Sequence, residues 1–136
     1  MAVAMELVEM NGKALRLARK FWPGALTIVA PLKGSLPFPI HQGTGTLGVR
    51  VPALPLCVAL IEACGGSLTG TSANRSGSPS ARTTTEVLRQ FSDDVDLILD
   101  GGRLEGPEST VVRVVGDSIQ VLRAGPVGVT DATKEP

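Results

Sequence analysis

Glycine and proline interrupt this chain so often that it can build only short elements joined by many turns. Sixteen Gly and ten Pro stand among 136 residues, about a fifth of the total. Such residues commonly mark a place where a helix stops, a strand ends or a turn begins. Between them lies enough apolar material, 43% of residues with a mean hydropathy of +0.21, to form a packed core rather than a disordered chain. With one Trp, three Phe and no Tyr, that core falls to Val, Leu, Ile and Ala. No apolar run approaches the ~18 residues of a membrane span, and residues 1–20 lack the charged-then-apolar pattern of a leader. The expectation is one cytoplasmic globular domain.

Hydrophobic spacing then assigns the pieces. Leu15, Ala18 and Phe21, with Arg16, Arg19 and Lys20 between them, predict an amphipathic helix over 13–21 that ends at Pro23-Gly24. The run 25–31 reads as a buried strand and 32–46 as a long loop holding His41, the one histidine. A strand over 47–51 precedes a helix over 55–64, with Pro55 in its first turn and Gly65-Gly66 after it. Further strands are expected over 67–72 and 96–100, separated by a polar loop over 73–81 and by a helix reaching Phe91. Thr83 and Glu86 match a capping box at the start of that helix. The runs 109–115 and 118–122 flank Gly116-Asp117, a two-residue hairpin signal. Helices and strands interleave, so the fold class is α/β. The expected sheet is mixed and twisted, with crossover helices and a C-terminal β-hairpin. The domain is placed at 1–125 and a tail at 126–136.

Charge and cysteine narrow the chemistry. Thirteen basic and thirteen acidic residues balance, but 1–89 carries nine basic against four acidic, and 90–136 the reverse, four against nine. An anionic ligand on the first part suits that asymmetry, as do ordinary solvated faces; a dedicated nucleic-acid stripe would be far more basic. Cys57 and Cys64 are seven residues apart, about 10 Å along a helix, beyond the roughly 7 Å a disulfide allows. They are expected as reduced core residues. One histidine and no CxxC or HExxH motif leave metal and His-dependent nucleophile chemistry poorly supported.

Three segments hold more polar chemistry than a scaffold needs. In Thr46-Leu-Gly-Val-Arg50-Val-Pro52 an arginine stands inside an apolar strand. Its permanent charge calls for an anion, either a ligand or an internal carboxylate. The loop Thr71-Ser-Ala-Asn74-Arg-Ser76-Gly77-Ser-Pro-Ser80 offers hydroxyls, an amide and a glycine. Such groups wrap phosphate oxygens, although a plain Ser/Gly turn has the same composition. Glu108-Ser-Thr-Val-Val112 and Val121-Leu-Arg123-Ala-Gly125 are brought to one end of the hairpin. That makes an anion site from an arginine and two hydroxyls, or a surface ladder pair.

Taken together, these segments resemble the YrdC/Sua5 domain. The likeness covers about 20–125 and rests on Phe21-Trp-Pro-Gly-Ala-Leu-Thr27, Gly48-Val-Arg-Val-Pro52, Thr71–Ser80, Leu97-Ile-Leu-Asp-Gly-Gly102, Glu108-Ser-Thr-Val-Val112 and Leu122-Arg-Ala-Gly125. The Ser-Ala-Asn-x-Ser-Gly and Glu-Ser-Thr-Val signals are specific in combination. The resemblance implies a YrdC/RibB-like fold and a threonylcarbamoyl-AMP synthase. Such an enzyme condenses L-threonine, bicarbonate and ATP, releases pyrophosphate and supplies the t6A modification of tRNA. It implies that Arg50 and Ser109 contact threonine and that Gly70 lines that pocket through its backbone. It further implies that Thr46, Ser72, Ser80 and Arg123 contact ATP, and that Asn74 holds the loop or a phosphate. Mg²⁺ enters with ATP, and no protein nucleophile is needed.

The family's opening segment, with its Thr-Val-Tyr-Gly-Leu strand and a basic Lys-x-x-x-Arg stretch, has no match in residues 1–20. The chain is therefore expected to be the C-terminal two-thirds of the domain, with an unpaired sheet edge and weak or absent synthase activity alone. A complementing N-terminal segment, a homodimer and a downstream threonylcarbamoyl transferase complex are the implied protein partners. Two alternatives stand beside the synthase. One is a non-catalytic RNA-binding or ribosome-associated module for tRNA or double-stranded RNA, weakened by the neutral charge and scarce aromatics. The other is a carbamoyl-transfer domain of the hydrogenase-maturation type, which is normally embedded in a longer chain with zinc-finger cysteines.

Overall fold

The computed structural model describes residues 1–129. They form α1 (Ala2–Leu7), α2 (Gly12–Phe21), β1 (Leu26–Pro31), α3 (Phe38–His41), β2 (Thr46–Val49), α4 (Pro55–Ala63), α5 (Thr84–Phe91), a 3-10 turn (Ser92–Asp94), β3 (Thr110–Val115) and β4 (Ser118–Arg123). The expected mixed α/β class holds. The four strands make one sheet in the order β2-β1-β3-β4. β1 pairs antiparallel with β2 and parallel with β3, and β3 pairs antiparallel with β4. Contacts divide the chain into two compact units, one of Met1–Ser67 with the residues from Pro107 onward, the other of Leu68–Gly106.

The first unit holds the sheet. Alternation in β1 buries Leu26, Ile28 and Ala30 on one face and leaves Thr27 and Val29 half-buried on the other. Val112 and Val114 of β3 join the buried face, as does Val49, paired with Ile28. α2 covers this face with Ala14, Leu17 and Ala18, all at most 1% exposed. Alanines at two of those three contacts let the helix axis come close to the strands, and each buried Leu or Ile contributes ~1.5–3 kcal/mol. α2 is held at its start by Asn11. That side chain accepts from Ala14 N at 2.9 Å and donates to Gly116 O at 2.8 Å, so one residue caps the helix and ties it to the hairpin turn. A second cluster, Ala4, Val8, Ala30 and Val49, seats α1.

Several expectations are corrected. Residues 67–72 and 96–100 are not strands. Their apolar patterns suit a strand, but no neighbouring strand pairs with them among the described residues, and Leu97 is 76% exposed. The long loop contains the one-turn helix α3. Cys64 is exposed and Cys57 half-buried, so the two free thiols are not core residues. The segment expected as a tail begins packed: Val127 and Val129 sit against the α2–sheet core, and Val129 is 7% exposed. Positions 130–136 of that expectation lie outside the described residues. No helix among the described residues is long and apolar enough to cross a membrane.

The second unit is a loop-rich segment around α5. Thr83 caps that helix, its hydroxyl accepting from Glu86 N at 3.2 Å. The Glu86 carboxylate reaches Arg82 N at 2.7 Å instead of the cap's own N–H, one residue short of a reciprocal capping box.

Candidate functional site

In the first unit, three of the candidate side chains gather at the amino end of β1. The approach to that strand is fixed by its backbone: Gly24 N donates to Val51 O at 2.9 Å and Thr110 N donates to Ala25 O at 2.9 Å. Trp22 Nε1 donates to Leu26 O at 2.7 Å. A Cβ at Gly24 would lie 2.3 Å from Phe21 O, so only glycine passes there. Arg50 Nε donates to Gly24 O at 2.7 Å. β2 ends at Val49, so Arg50 stands just beyond the strand and is exposed, not buried within the strand. With one N–H bonded to Gly24, four of its five remain for an anion.

Ser109 stands just before the neighbouring strand β3, at the same end. It is 8% exposed, and its Oγ lies 3.0 Å from Thr27 Oγ1 and 3.0 Å from Arg123 Nη2. Arg123 Nε also donates to Ser109 O at 3.0 Å, and its Nη1 pairs with Glu108. Three of the five guanidinium N–H groups are thus engaged and two remain. Arginine can only donate, so Ser109 Oγ accepts from it. When Thr27 donates to the other lone pair, the serine proton is free for a ligand acceptor. Pairing places Arg123 opposite Val111, whose β1 partner is Thr27. A bulge between Val111 and Val112 lets β4 bring the guanidinium back over Ser109. Arg50, Ser109 and Arg123 therefore share one end of the sheet, as the hairpin reading anticipates for the last two. Thr27 belongs to the group as well. It lies inside the quoted Phe21–Thr27 motif, and its hydroxyl on the less buried face of β1 is the signal that could have found it.

Thr46 lies elsewhere in this unit. It pairs with Pro31 at the carboxyl end of β1, and its hydroxyl donates to Thr44 Oγ1 at 3.2 Å. His41 is a turn residue: Nδ1 accepts from Gly43 N at 3.1 Å and Nε2 lies 3.2 Å from Leu36 O.

Gly70, Ser72, Asn74 and Ser80 belong to the second unit. Asn74 is the internal brace of their loop, with Nδ2 donating to Ser78 O at 2.8 Å and Ser80 Oγ 3.5 Å from its Oδ1. Ala81 N donates to Ala73 O at 2.9 Å and closes the loop. α5 clamps it from outside. Gln90 Oε1 accepts from Arg75 N at 2.9 Å, and Gln90 Nε2 donates to Pro79 O at 3.0 Å. The Arg75 guanidinium bonds Gln90 O at 2.7 Å and pairs with Asp94. Gly70 and Ser72 are exposed.

Comparison with known proteins agrees with these motifs. The Sua5/YciO/YrdC family model, described as "Telomere recombination", matches residues 1–125. The chain belongs to this family. The match reaches back to residue 1, ahead of the 20–125 stretch on which the motifs are legible. Threonylcarbamoyl-AMP synthase of Pyrococcus abyssi (strain GE5 / Orsay) is 37% identical over 118 residues, 86% of this chain and 35% of that protein. Threonylcarbamoyl-AMP synthase of Bacillus subtilis (strain 168) is 38% identical over 115 residues, 83% of this chain and 33% of that protein. This Sua5/YciO/YrdC chain therefore spans about a third of the length of these curated relatives. The crystal structure of P. abyssi Sua5 complexed with L-threonine superposes with a TM-score of 0.90 at 34% identity, covering 96% of this chain and 39% of that one. E. coli YciO superposes with a TM-score of 0.85 at 28% identity, covering 94% of this chain and 63% of that one.

Proposed function

We propose that this chain carries threonine- and nucleotide-binding residues of a threonylcarbamoyl-AMP synthase acting in t6A synthesis on tRNA. The observation that supports it most is the meeting of Arg50, Ser109 and Arg123 at one end of the sheet with N–H donors to spare. Arg50 offers paired N–H groups to the threonine carboxylate. The Thr27–Ser109 hydroxyl pair suits the threonine hydroxyl, and Gly70 is a further proposed threonine contact through its backbone. Thr46, Ser72, Ser80 and Arg123 are the proposed ATP contacts, and Asn74 keeps the Ser72–Ser80 loop in shape.

The chemistry asks for alignment and charge stabilisation. Threonine's amine and bicarbonate form a carbamate with loss of water. A carbamate oxygen then attacks the α-phosphorus of ATP, and the bond to the β-phosphate oxygen breaks to release pyrophosphate. Two free N–H groups on Arg123 suit the negative charge that builds on phosphate oxygens. Mg²⁺ enters with ATP as part of the substrate. The product would pass to a threonylcarbamoyl transferase acting on tRNA in the cytoplasm.

Calorimetry with L-threonine and a non-hydrolysable ATP analogue tests the assignment. Arg50→Ala should abolish threonine binding and spare the nucleotide. Arg123→Ala should abolish nucleotide binding and also weaken threonine, because the guanidinium holds Ser109 through two hydrogen bonds. Failure of both substitutions to alter either ligand would refute the roles. Pyrophosphate release dependent on both threonine and bicarbonate is the readout for synthase activity.

A further inference from the structure

We propose that the cavity at the carboxyl ends of β1 and β3 binds a small organic monocarboxylate through Arg113. The cavity measures about 450 Å³, within the ~300–1,000 Å³ typical of small-molecule pockets. Its lining comes wholly from the first unit. Val29 of β1 gives an apolar floor on the sheet face that Arg113 shares, while Ala14 of α2, Ala30 of β1 and Val114 of β3 line the cavity from the opposite face, round the end of the sheet, with Glu9 at the rim.

Arg113 is the reason to expect an anion. It sits in mid-strand, paired with Val29 on one side and Gln120 on the other. Among the described residues its buried Nε has no hydrogen-bond partner, and no carboxylate lies within ion-pair distance. A guanidinium keeps its charge at any attainable pH, so the unmet N–H is a standing penalty that a ligand oxygen would remove. The other polar groups of the wall have partners already. Asn11 is bonded to Ala14 N and Gly116 O, and the Thr46 hydroxyl to Thr44.

Shape and charge select the ligand class. The carboxylate matches the guanidinium fork, and the floor suits a few aliphatic carbons, which inorganic phosphate lacks. Glu9, exposed at the rim, disfavours multiply charged anions and would accept from an α-ammonium group. The outer end of the cavity, at Pro31, is four residues (~13 Å) from Thr27, whereas Arg113, in register with Val29, stands two residues (~7 Å) from Thr27 on the same sheet face. The proposal does not rest on the synthase reading, with which it shares only Thr46.

Titration of the ¹⁵N-labelled 136-residue chain with sodium isobutyrate, L-valine and sodium phosphate, followed by NMR, tests it. Isobutyrate and L-valine should give saturable shifts at Arg113 Nε–H and at the Val114 and Gly116 amides. Arg113→Met should weaken both by about tenfold or more. Arg113→Lys, which also lacks an N–H at that depth, should do the same and stands in if the Met variant does not fold. Glu9→Gln should weaken L-valine and leave isobutyrate unchanged. Absence of saturable shifts with both acids up to tens of millimolar would overturn the proposal. Shifts that survive Arg113→Met and Arg113→Lys, or phosphate binding as strong as isobutyrate, would overturn it equally.

Discussion

Replacing Thr110 with Val tests the clasp between the start of β3 and the segment after β4. The exchange keeps the β-branched shape that suits a strand and removes one hydroxyl. That hydroxyl donates to Val127 O at 3.0 Å and accepts from Val127 N at 2.9 Å, in a residue only 1% exposed. Two net hydrogen bonds at ~1 kcal/mol each give about 2 kcal/mol. If Val127 stays in place, its stranded N–H and C=O raise the loss to about 3 kcal/mol. If the segment lifts instead, Val129 leaves the core, and the lost apolar burial of ~1.5 kcal/mol is partly offset by regained chain freedom. Both routes lead to ~2–3 kcal/mol. At ~3–5 °C per kcal/mol for a chain of this size, the melting temperature should fall by about 10 °C. Calorimetry measures the fall, and amide exchange separates the routes: the Val127 amide should exchange early while those of β1 stay protected. A melting temperature within ~2 °C of the parent, with the Val127 amide still slow, would refute the clasp.

Three further outcomes follow from contacts of the same kind. Gly125→Ala should destabilise by ~3 kcal/mol or more, since a Cβ there would meet Glu108 O and Thr110 N at 2.4 Å; urea unfolding reads this as a lowered midpoint. Asn11→Ala removes both the cap of α2 and the tie to Gly116, and should cost about 1–2 kcal/mol with an unchanged denaturant slope. Gln90→Ala releases Arg75 N and Pro79 O. Trypsin should then cut after Arg75 several-fold faster while the melting temperature moves little, and equal cleavage rates would show that the clamp is not formed in solution.

The sheet was largely legible because its strands carry local signals. Alternation marks β1, and Gly116-Asp117 marks the hairpin with only small boundary shifts. An apolar run alone does not make a strand. Residues 96–100 have the pattern, but a strand exists only where a neighbour supplies hydrogen bonds, and sequence does not reveal the neighbour. The site divides along the same line. Ser109 and Arg123 follow from pairing across a recognisable hairpin. Thr27 was missed because a β-branched hydroxyl is ordinary in any strand. Arg50 lies past the end of β2, and the arginine that stands inside an apolar strand is Arg113, set between Val112 and Val114 with its Nε buried.

Adjacent residues at the start of β3 serve different ends. Strand alternation turns Thr110 toward the core side, in register with Leu26, while Ser109 meets Thr27 and Arg123. Arg123 grips Ser109 by both its carbonyl and its hydroxyl, and Gly125, two residues on, lies against the backbone of 108–110. The hairpin's last strand thus positions the proposed ligand hydroxyl and locks the segment that completes the core. A substitution at Thr110 or Gly125 can therefore lower ligand affinity without touching ligand. The loss should track the fall in stability, whereas a loss at Arg50, exposed and hydrogen-bonded to Gly24 O, should leave stability within ~0.5 kcal/mol. That difference separates residues that bind from residues that position.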